Sequence, residues 1–448
     1  MNETFDTVVI GSGPLGLSSA RRLAEKGQRV LVLEEGQAVT DPPGSHLRNQ
    51  DRFHGDPKSY LEEATGHLAY FDAQVPREQL PGAAVTKTVG GQGVIWTNLC
   101  PRCDATWEAL SSQGWESYSA LAEDYLCVQA AEFDASVRQQ KLKARLAEHL
   151  AEAGRGVEVL PTAAQYGDSD YLHYTGPHDI LTGAGAAGDR ITLCAGTALS
   201  LRLRGGQITA VDLGDKLLEA DNFVIAGGAI GTPQLLHRSG IRPKALGRWL
   251  SYHPILITQM VLDEAYCAPP GVVDRVPRLQ IRPTKNAPWF SLVLRDVSPF
   301  EPKDPDSQID PNRLAEIQII CPVDVREENR IEFDAHSDPS FHVPLSSSDK
   351  ARLERAFRDA EALTAALGRC RRGCEILWTP FGFAHMTGTT RMSAVDDGTG
   401  VADYQGRVWG FENLYLATNG LIPTRMAVNP TLTGVTLSLH VADALLAR

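Results

Sequence analysis

The sequence lacks any apolar stretch that could cross a membrane, and it lacks an excess of basic residues. Its first apolar run, residues 7–10, is far shorter than the roughly 20 apolar residues of a membrane helix, and no basic segment precedes it. The 43 Lys and Arg residues are outnumbered by 55 Asp and Glu residues, which gives a formal net charge of −12. Because phosphate backbones bind basic surfaces, this balance argues against nucleic-acid partners. We therefore expect a cytoplasmic protein with no nucleic-acid and no membrane partner.

Cysteine is sparse, with eight residues scattered over a chain of 448. Such a distribution favours reduced thiols over a disulfide framework. Cys100 and Cys103 have C-x-x-C spacing, and Cys370 and Cys374 form a second loose pair that could join them in a zinc or iron–sulfur site. Neither pair carries the turn glycines of a zinc ribbon, so we expect no metal. The length predicts two or three domains with a core that needs no metal or disulfide.

The amino-terminal segment has the pattern of a β–α–β unit. A buried strand from Phe5 to Ile10 leads into the glycine-rich residues 11–16, a helix from Leu17 to Lys26 and a second buried strand from Arg29 to Leu33. The G-x-G-x-x-G sequence lies at the strand-to-helix turn, where glycines let a pyrophosphate approach the backbone and the helix amino terminus. Glu34 ends the second strand, where a carboxylate can accept hydrogen bonds from ribose hydroxyls. This pattern predicts dinucleotide binding but does not separate NAD from FAD.

The rest of the chain mixes helical and strand patterns, which predicts an α/β fold. Helices are predicted over residues 107–131, 139–153 and 349–367. Residues 191–213 alternate like paired strands that turn at Gly205 and Gly206, and residues 223–228 form another buried strand. Alternating segments between residues 255 and 320 predict an antiparallel sheet.

Five further segments of the chain cover residues 89–98, 226–241, 247–254, 385–392 and 413–433. They occur in the order typical of one family. Together with the amino-terminal motif, they resemble the glucose–methanol–choline (GMC) oxidoreductases, which are FAD-dependent alcohol-oxidising enzymes. The final two segments are most similar to the sugar-oxidising branch of that family, which includes pyranose oxidases and aminoglycoside-pathway alcohol dehydrogenases.

The resemblance implies a Rossmann-like FAD-binding domain and an antiparallel-sheet-plus-helix substrate domain. The FAD-binding domain is expected to be discontinuous, from residues 1–255 and 380–448, with a loop-rich excursion at 45–80; residues 256–379 are expected to form the substrate domain. The implied reaction is oxidation of a CH–OH group of a sugar, aminosugar or cyclitol, with O₂ or another electron acceptor. A non-sugar alcohol as substrate, a catalytically silent flavin-binding protein, and an NAD(P)-dependent dehydrogenase that uses only the amino-terminal motif are the alternatives.

The resemblance also implies roles for individual residues. His385 corresponds to the base that takes the hydroxyl proton, and Asn429 to its partner on the substrate oxygen. Ile95 replaces the histidine that pyranose oxidases attach to the flavin, which implies noncovalent FAD. Trp289 and Phe290 could stack on a sugar ring or fill the core. The expected cofactor-binding residues are Gly11, Ser12, Gly13, Pro14, Leu15, Gly16, Glu34, Glu35, Gly90, Gly91, Val94, Trp96, Thr97 (beside flavin N5), Asn98, Ala226, Gly227, Asn419 (where many members have an acid), Gly420, Asn429, Pro430 and Thr431.

Overall fold

The structure is a computed structural model of the chain. It describes residues 4–54, 63–64, 66–71, 75–103, 114–167, 172–269, 271–272, 274–294, 309–379 and 384–447.

A mostly parallel sheet forms one half of the fold. Its central strand, Phe5–Ile10, lies between Val30–Glu34 and Leu217–Ile225, with Val9 opposite Val32 on one side and Val224 on the other. The strand Ile191–Ala195 extends the sheet beyond Val30–Glu34, and Leu414–Leu416 extends it beyond Leu217–Ile225. The central strands are buried on both faces, which explains why they read as continuous apolar runs.

Helices cover this parallel sheet. The amino-terminal helix Pro14–Glu25 packs against the carboxy-terminal helix Thr431–Leu446, which also contacts the helix Trp115–Tyr125. The carboxy-terminal helix buries residues around its whole circumference, because it lies inside the largest apolar core of the molecule. The helix predicted at 107–131 lies partly outside the described residues. Within 114–131 the helix spans Trp115–Tyr125 and ends in a turn at Leu126, earlier than predicted.

A hairpin of Ser200–Arg204 and Gln207–Asp212 turns at Gly205 and Gly206, as predicted. Its second strand runs antiparallel to the start of Leu217–Ile225. Ile191–Ala195 differs from the prediction of paired strands across 191–213, because it joins the parallel sheet beside Val30–Glu34. The sequence pattern alone does not distinguish these two partners.

An antiparallel sheet forms the other half. Its long strand Ile255–Leu262 pairs on one side with Leu314–Ile320, and on the other side with Gly368–Cys370 and Leu377–Thr379. The order continues from Leu314–Ile320 through Phe290–Leu294 and Arg278–Ile281 to Val157–Val159. The helices Ser347–Leu367 and Val137–Leu150 pack on this sheet around a second apolar core.

The expected domain boundaries place residues 137–159 in the FAD-binding domain. The structure differs at this point, since Val157–Val159 pairs with Arg278–Ile281 at the edge of the antiparallel sheet. This partner is more than 100 residues away along the chain, so no local pattern indicates it. The division of the remaining chain at 255 and 380 stays a prediction.

Shorter elements complete the described chain. Two-stranded sheets join Leu68–Tyr70 with Ala84–Thr86, Ala164–Tyr166 with Leu172–Tyr174, and Arg330–Phe333 with Pro339–His342. The other helices and 3₁₀ turns are Leu47–Asn49, Asp51–His54, Arg77–Gln79, Gly91–Val94, Ala131–Ala135, Pro177–Thr182, Gly185–Arg190, Gly228–Arg238, Glu264–Tyr266, Pro311–Arg313 and Asn419–Leu421.

Candidate active site

The glycine-rich loop of residues 11–16 connects the central strand to the amino-terminal helix. Gly11 has a φ of +111°, and a Cβ there would lie 2.6 Å from the Ala226 carbonyl oxygen. A Cβ on Gly16 would lie 2.1 Å from the Gly11 oxygen. Gly13 precedes the helix with no side-chain cap, and Pro14 occupies the first turn. Backbone N–H groups at this helix start are therefore available to an anionic group.

Glu34 and Ser12 link the glycine-rich loop to the second strand. The Glu34 carboxylate accepts hydrogen bonds from Ser12 N (3.0 Å), Ser12 Oγ (2.7 Å) and Gly36 N (2.8 Å). Gly90 N in turn donates to Ser12 Oγ at 2.8 Å. The next residue, Glu35, is exposed and lies 3.4 Å from Lys87 Nζ. Of the two predicted carboxylates, only Glu34 is integrated into the loop.

A second glycine loop, residues 89–98, lies against the first. A Cβ on Gly91 would come within 3.5 Å of Gly13 Cα, and Gly90 and Gly91 both have positive φ. Val94 is buried, Thr97 is exposed, and Trp96 Nε1 donates to the Thr175 carbonyl at 2.8 Å.

His46 and Asn98 fix this second loop from behind, and sequence reasoning missed the role of His46. His46 Nδ1 accepts from Arg48 N, so its Nε2 carries the proton and donates to the Trp96 carbonyl at 2.9 Å. Asn98 is fully buried and its Nδ2 donates to the carbonyls of Ala163 and Thr175, both at 2.8 Å. These bonds hold the backbone around Thr97 in one conformation.

The remaining predicted cofactor residues come from two other connections. Ala226 and Gly227 follow the strand Leu217–Ile225, and Ala226 N donates to the Ile10 carbonyl at 2.7 Å. Asn419 and Gly420 open a 3₁₀ turn after Leu414–Leu416, where a Cβ on Gly420 would lie 2.4 Å from Thr390 Oγ1. The last group is at the start of the carboxy-terminal helix and comprises Asn429, Pro430 and Thr431.

The residues present fit an FAD. Three backbone connections at the carboxyl ends of parallel strands meet at one edge of the sheet, which is where α/β proteins bind dinucleotides. Of the buried side-chain atoms that have no hydrogen-bond partner among the described residues, four are oxygens of predicted site residues or of Thr390 beside them, although buried polar groups are normally satisfied. They are Asn98 Oδ1, Thr390 Oγ1, Asn419 Oδ1 and Asn429 Oδ1. A ligand with hydroxyl and N–H donors would pair such atoms.

The predicted catalytic residues are adjacent in space. His385 and Asn429 are 44 positions apart in sequence, yet Asn429 Nδ2 lies 3.3 Å from His385 Nε2. Asn429 is 6% exposed and precedes the uncapped helix Thr431–Leu446. A proton acceptor and an amide thus lie beside the positive end of a helix dipole.

A second histidine, His253, completes this group and was not identified as a site residue from sequence. Its Nδ1 lies 3.2 Å from His385 Nδ1, and the side chain is 1% exposed. The available signal was its place in residues 247–254, a G-R-x-L-x-x-H-P motif and one of the segments that carry the family resemblance. Asn429 therefore contacts His385, and His385 contacts His253, and we call these three side chains the row.

Burial keeps both histidines neutral. Desolvation lowers the pKa of His385 to about 4. The pKa of His253 is lowered well below its usual value, first by burial and then by the charge that His385 would carry. Near neutral pH, His385 is therefore unprotonated at one ring nitrogen and able to accept a proton.

Other residues considered from sequence have structural surroundings. Trp289 is 4% exposed, donates from Nε1 to Asp359 Oδ2 at 2.7 Å and belongs to the core of the antiparallel sheet. The exposed Arg355 lies over its ring, with Cζ 5.5 Å from the ring centroid. Across the described ranges, no group of three or more His, Cys, Asp or Glu residues could hold a metal ion. Within the same ranges, no helix combines the length and the apolar character that a bilayer span requires.

Comparison with known proteins identifies the class. A family model described as FAD dependent oxidoreductase matches residues 6–318, and one described as GMC oxidoreductase matches residues 325–438. The chain belongs to the GMC oxidoreductases, FAD-dependent enzymes that act on CH–OH donors. The resemblance and the fold class inferred from sequence are thereby confirmed.

Two relatives indicate where in this family the chain lies. It is similar to the C-glycoside 3-oxidase of Microbacterium trichothecenolyticum, with 29% identity over 99% of this chain and 97% of that protein. It is also similar to the pyranose 2-oxidase of Tricholoma matsutake, with 28% identity over 98% of this chain and 93% of that protein. Both relatives are matched over nearly their whole length.

Solved structures support the fold. Pyridoxine 4-oxidase from Mesorbium loti has a TM-score of 0.68 at 16% identity and covers 99% of this chain and 100% of its own. Formate oxidase from Aspergillus oryzae RIB40 has a TM-score of 0.72 at 14% identity, with 99% and 98% covered.

Proposed function

We propose that this protein oxidises a secondary CH–OH group of a sugar or glycoside to a carbonyl, with noncovalently bound FAD and with His385 as the base. The observation that carries the proposal is the contact of His385 with Asn429 at the start of the carboxy-terminal helix. The relatives named as C-glycoside 3-oxidase and pyranose 2-oxidase support a pyranose ring as the substrate class. Aminosugars and cyclitols present the same ring hydroxyls and belong to the same proposal.

His385 is suited to remove the hydroxyl proton. Its Nε2 faces Asn429, and the amide can hold the substrate oxygen while the nitrogen takes the proton. The substrate carbon loses a hydride in the same oxidation, and FAD, when bound, supplies the acceptor for it. Loss of one proton and one hydride converts CH–OH to C=O.

Asn429 adds charge stabilisation to this step. Negative charge develops on the substrate oxygen as its proton leaves, and an amide N–H stabilises it. The uncapped amino terminus of Thr431–Leu446 contributes the positive end of its dipole to the same region. These two groups compensate for a base whose pKa is held low by burial.

The FAD is proposed to be noncovalent because position 95 is an isoleucine. Ile95 packs against the small apolar cluster of Leu47, Phe53 and Ala64, and its side chain has no nucleophilic atom. The predicted cofactor residues other than Glu35 also belong to this proposal.

Two measurements, made one after the other, test the proposal. The purified protein is denatured and passed through a filter; free FAD in the filtrate supports noncovalent binding, and flavin that stays on the polypeptide contradicts it. The folded protein is then mixed anaerobically with a panel of pyranoses, glycosides, aminosugars, cyclitols and simple alcohols. Bleaching of the flavin band by ring alcohols is the expected result.

The alternatives give different outcomes in the same panel. A non-sugar substrate would bleach the flavin only with simple alcohols, and a catalytically silent protein would bleach with none. A colourless protein that binds a nicotinamide cofactor would favour an NAD(P)-dependent dehydrogenase. Repeating the productive reaction with and without O₂ shows which electron acceptor reoxidises the enzyme.

A further inference from the structure

An isolated antiparallel β-bridge brings the segments of His253 and His385 together. Ser251 N donates to the Thr387 carbonyl at 3.0 Å, and Thr387 N donates to the Ser251 carbonyl at 2.9 Å. Each histidine lies two residues from this bridge, and His385 belongs to a short 3₁₀ turn that precedes it. The backbone contact therefore places the two side chains near each other.

The two imidazoles contact each other through equivalent atoms. Their Nδ1 atoms are 3.2 Å apart, and the ring planes meet at 73°. Two ring nitrogens at this distance form a hydrogen bond only if one carries a proton and the other presents its lone pair. One of the two histidines therefore determines the tautomer of the other.

Asn429 indicates which histidine is the donor. Its Nδ2 faces His385 Nε2, and an amide nitrogen can only donate, so Nε2 of His385 is the unprotonated nitrogen. His385 then carries its proton on Nδ1 and donates it to His253. The reverse orientation of the Asn429 amide would require the opposite tautomer, in which Nε2 is protonated and no longer a base.

The arrangement also serves the protonated state of His385. Once Nε2 has taken a proton, the ring is a cation in buried surroundings, and its Nδ1–H still faces the lone pair of His253. A neutral acceptor at that place stabilises the cation, because hydrogen bonds with a charged partner are stronger than neutral ones.

We propose that His253 is a positioning residue: its Nδ1 lone pair keeps the proton of His385 on Nδ1 and so leaves His385 Nε2 free to take the substrate proton. The inference rests on the proposed function for the identity of the base. The tautomer itself is a property of the protein and can be measured without any substrate.

The first test reads the tautomer directly. Protein labelled with ¹⁵N-histidine and loaded with FAD is examined by ¹⁵N–¹H correlation at neutral pH, and His385 is assigned by its loss in His385→Gln. We expect the proton of His385 on Nδ1. A proton on Nε2 would overturn the proposal, and this outcome is independent of whether a substrate has been found.

The second test uses three variants, compared by the rate of anaerobic flavin reduction per bound flavin. His253→Leu removes the acceptor, and we expect a decrease of roughly 5- to 150-fold, the range expected when a buried donor is left unpaired. His253→Asn places an amide oxygen where Nδ1 was and should recover most of the rate. His440→Leu is the control: His440 is also buried, and its Nε2 contacts the Tyr404 carbonyl at 3.1 Å, outside the site.

The combined results decide the role. A slow His253→Leu variant with a changed His385 tautomer, rescued by His253→Asn, supports it. A His253→Leu variant that binds FAD and reduces it at the wild-type rate would overturn it, as would equal losses in His253→Leu and His440→Leu. If His253→Leu does not fold, the tautomer of His385 in the wild type and the flavin reduction rate of His253→Asn still test the proposal. If no alcohol reduces the flavin, the tautomer measurement stands while the proposed function fails.

Discussion

The proposed cofactor cradle and the proposed catalytic row are built in different ways. The cradle, residues 11–16 with Glu34 and Gly90, is centred on the closely packed backbone of one glycine-rich turn, to which Glu34 and Gly90 are hydrogen-bonded through Ser12. The proposed catalytic row consists of side chains from three distant segments: the base His385, the amide of Asn429 and the positioning residue His253. Substitutions in the cradle are expected to act through steric clashes with the backbone, whereas substitutions in the row are expected to act by changing which atoms carry protons. The two regions should therefore respond differently to small substitutions.

The largest effect is expected in the cradle. Gly16→Ala places a Cβ 2.1 Å from the Gly11 carbonyl oxygen and 3.0 Å from Ala226 Cβ, so the loop has to move. We expect purified protein without bound flavin, measured by absorbance near 450 nm. Gly188→Ala is the matched control, since its Cβ would meet only atoms at 3.8 Å or beyond. Full flavin content in Gly16→Ala would show that the cradle is not rigid.

In the catalytic row, His385→Ala is expected to retain FAD and to lose chemistry. General-base catalysis contributes about 10²- to 10⁴-fold, so the flavin reduction rate should fall by that factor. His173→Ala, a surface histidine beside Asp179, is the control and should reduce flavin at the wild-type rate. An unchanged rate in His385→Ala would remove this residue as the base.

Glu34 and Glu35 give a finer comparison within the cradle. Glu34→Gln weakens the bonds from Ser12 and Gly36, and a charged hydrogen bond contributes about 1.5–3 kcal/mol, so FAD affinity should fall by roughly 10- to 150-fold. Glu35→Gln affects only an exposed ion pair and should leave affinity unchanged. Titration of apoprotein with FAD measures the affinity of both variants. An equal loss of affinity in the two variants would show that Glu35 also contributes to FAD binding.

The smallest effect concerns acid stability. The pKa of His385 is about 4 in the folded protein against 6.5 ordinarily, so the unfolded chain binds more protons between these values. Its stabilising contribution is complete above pH 6.5 and is lost as pH falls towards 4. The melting temperature should therefore drop less between pH 7 and pH 5 in His385→Gln than in the wild type. An equal or larger drop would mean that the pKa of His385 is not lowered in the folded protein.

Sequence patterns indicate the local structure of the cradle more directly than that of the row, for a physical reason. The turn after Ile10 and the acid at Glu34 follow from local strand, helix and glycine signals, and the hairpin at Gly205 and Gly206 is equally local. His385 and Asn429 were named only because whole segments resemble a family. Their proximity depends on the tertiary fold.

What the sequence did not reveal depends on pairing between distant segments. His253 lies beside His385 because an isolated bridge joins Ser251 with Thr387, and Val157–Val159 joins its sheet by pairing with Arg278–Ile281. The aromatic ring of Trp289 could either stack on a sugar or pack in a core, and only its burial in the structure distinguishes the two roles. Composition and periodicity carry no information about which distant partner a strand or ring selects.

The position of Leu414–Leu416 in the parallel sheet has a consequence for biosynthesis. This strand and the helix Thr431–Leu446 pack against Leu217–Ile225 and Pro14–Glu25, which leave the ribosome long before them. Domains generally fold as units during synthesis, beginning at the amino terminus. Here the first strands emerge early but must wait for the distal segment before their sheet and its ligand contacts are complete. Translation pauses before residue 414 would therefore expose unfinished apolar surface to chaperones, and cofactor loading is expected to follow release of the chain.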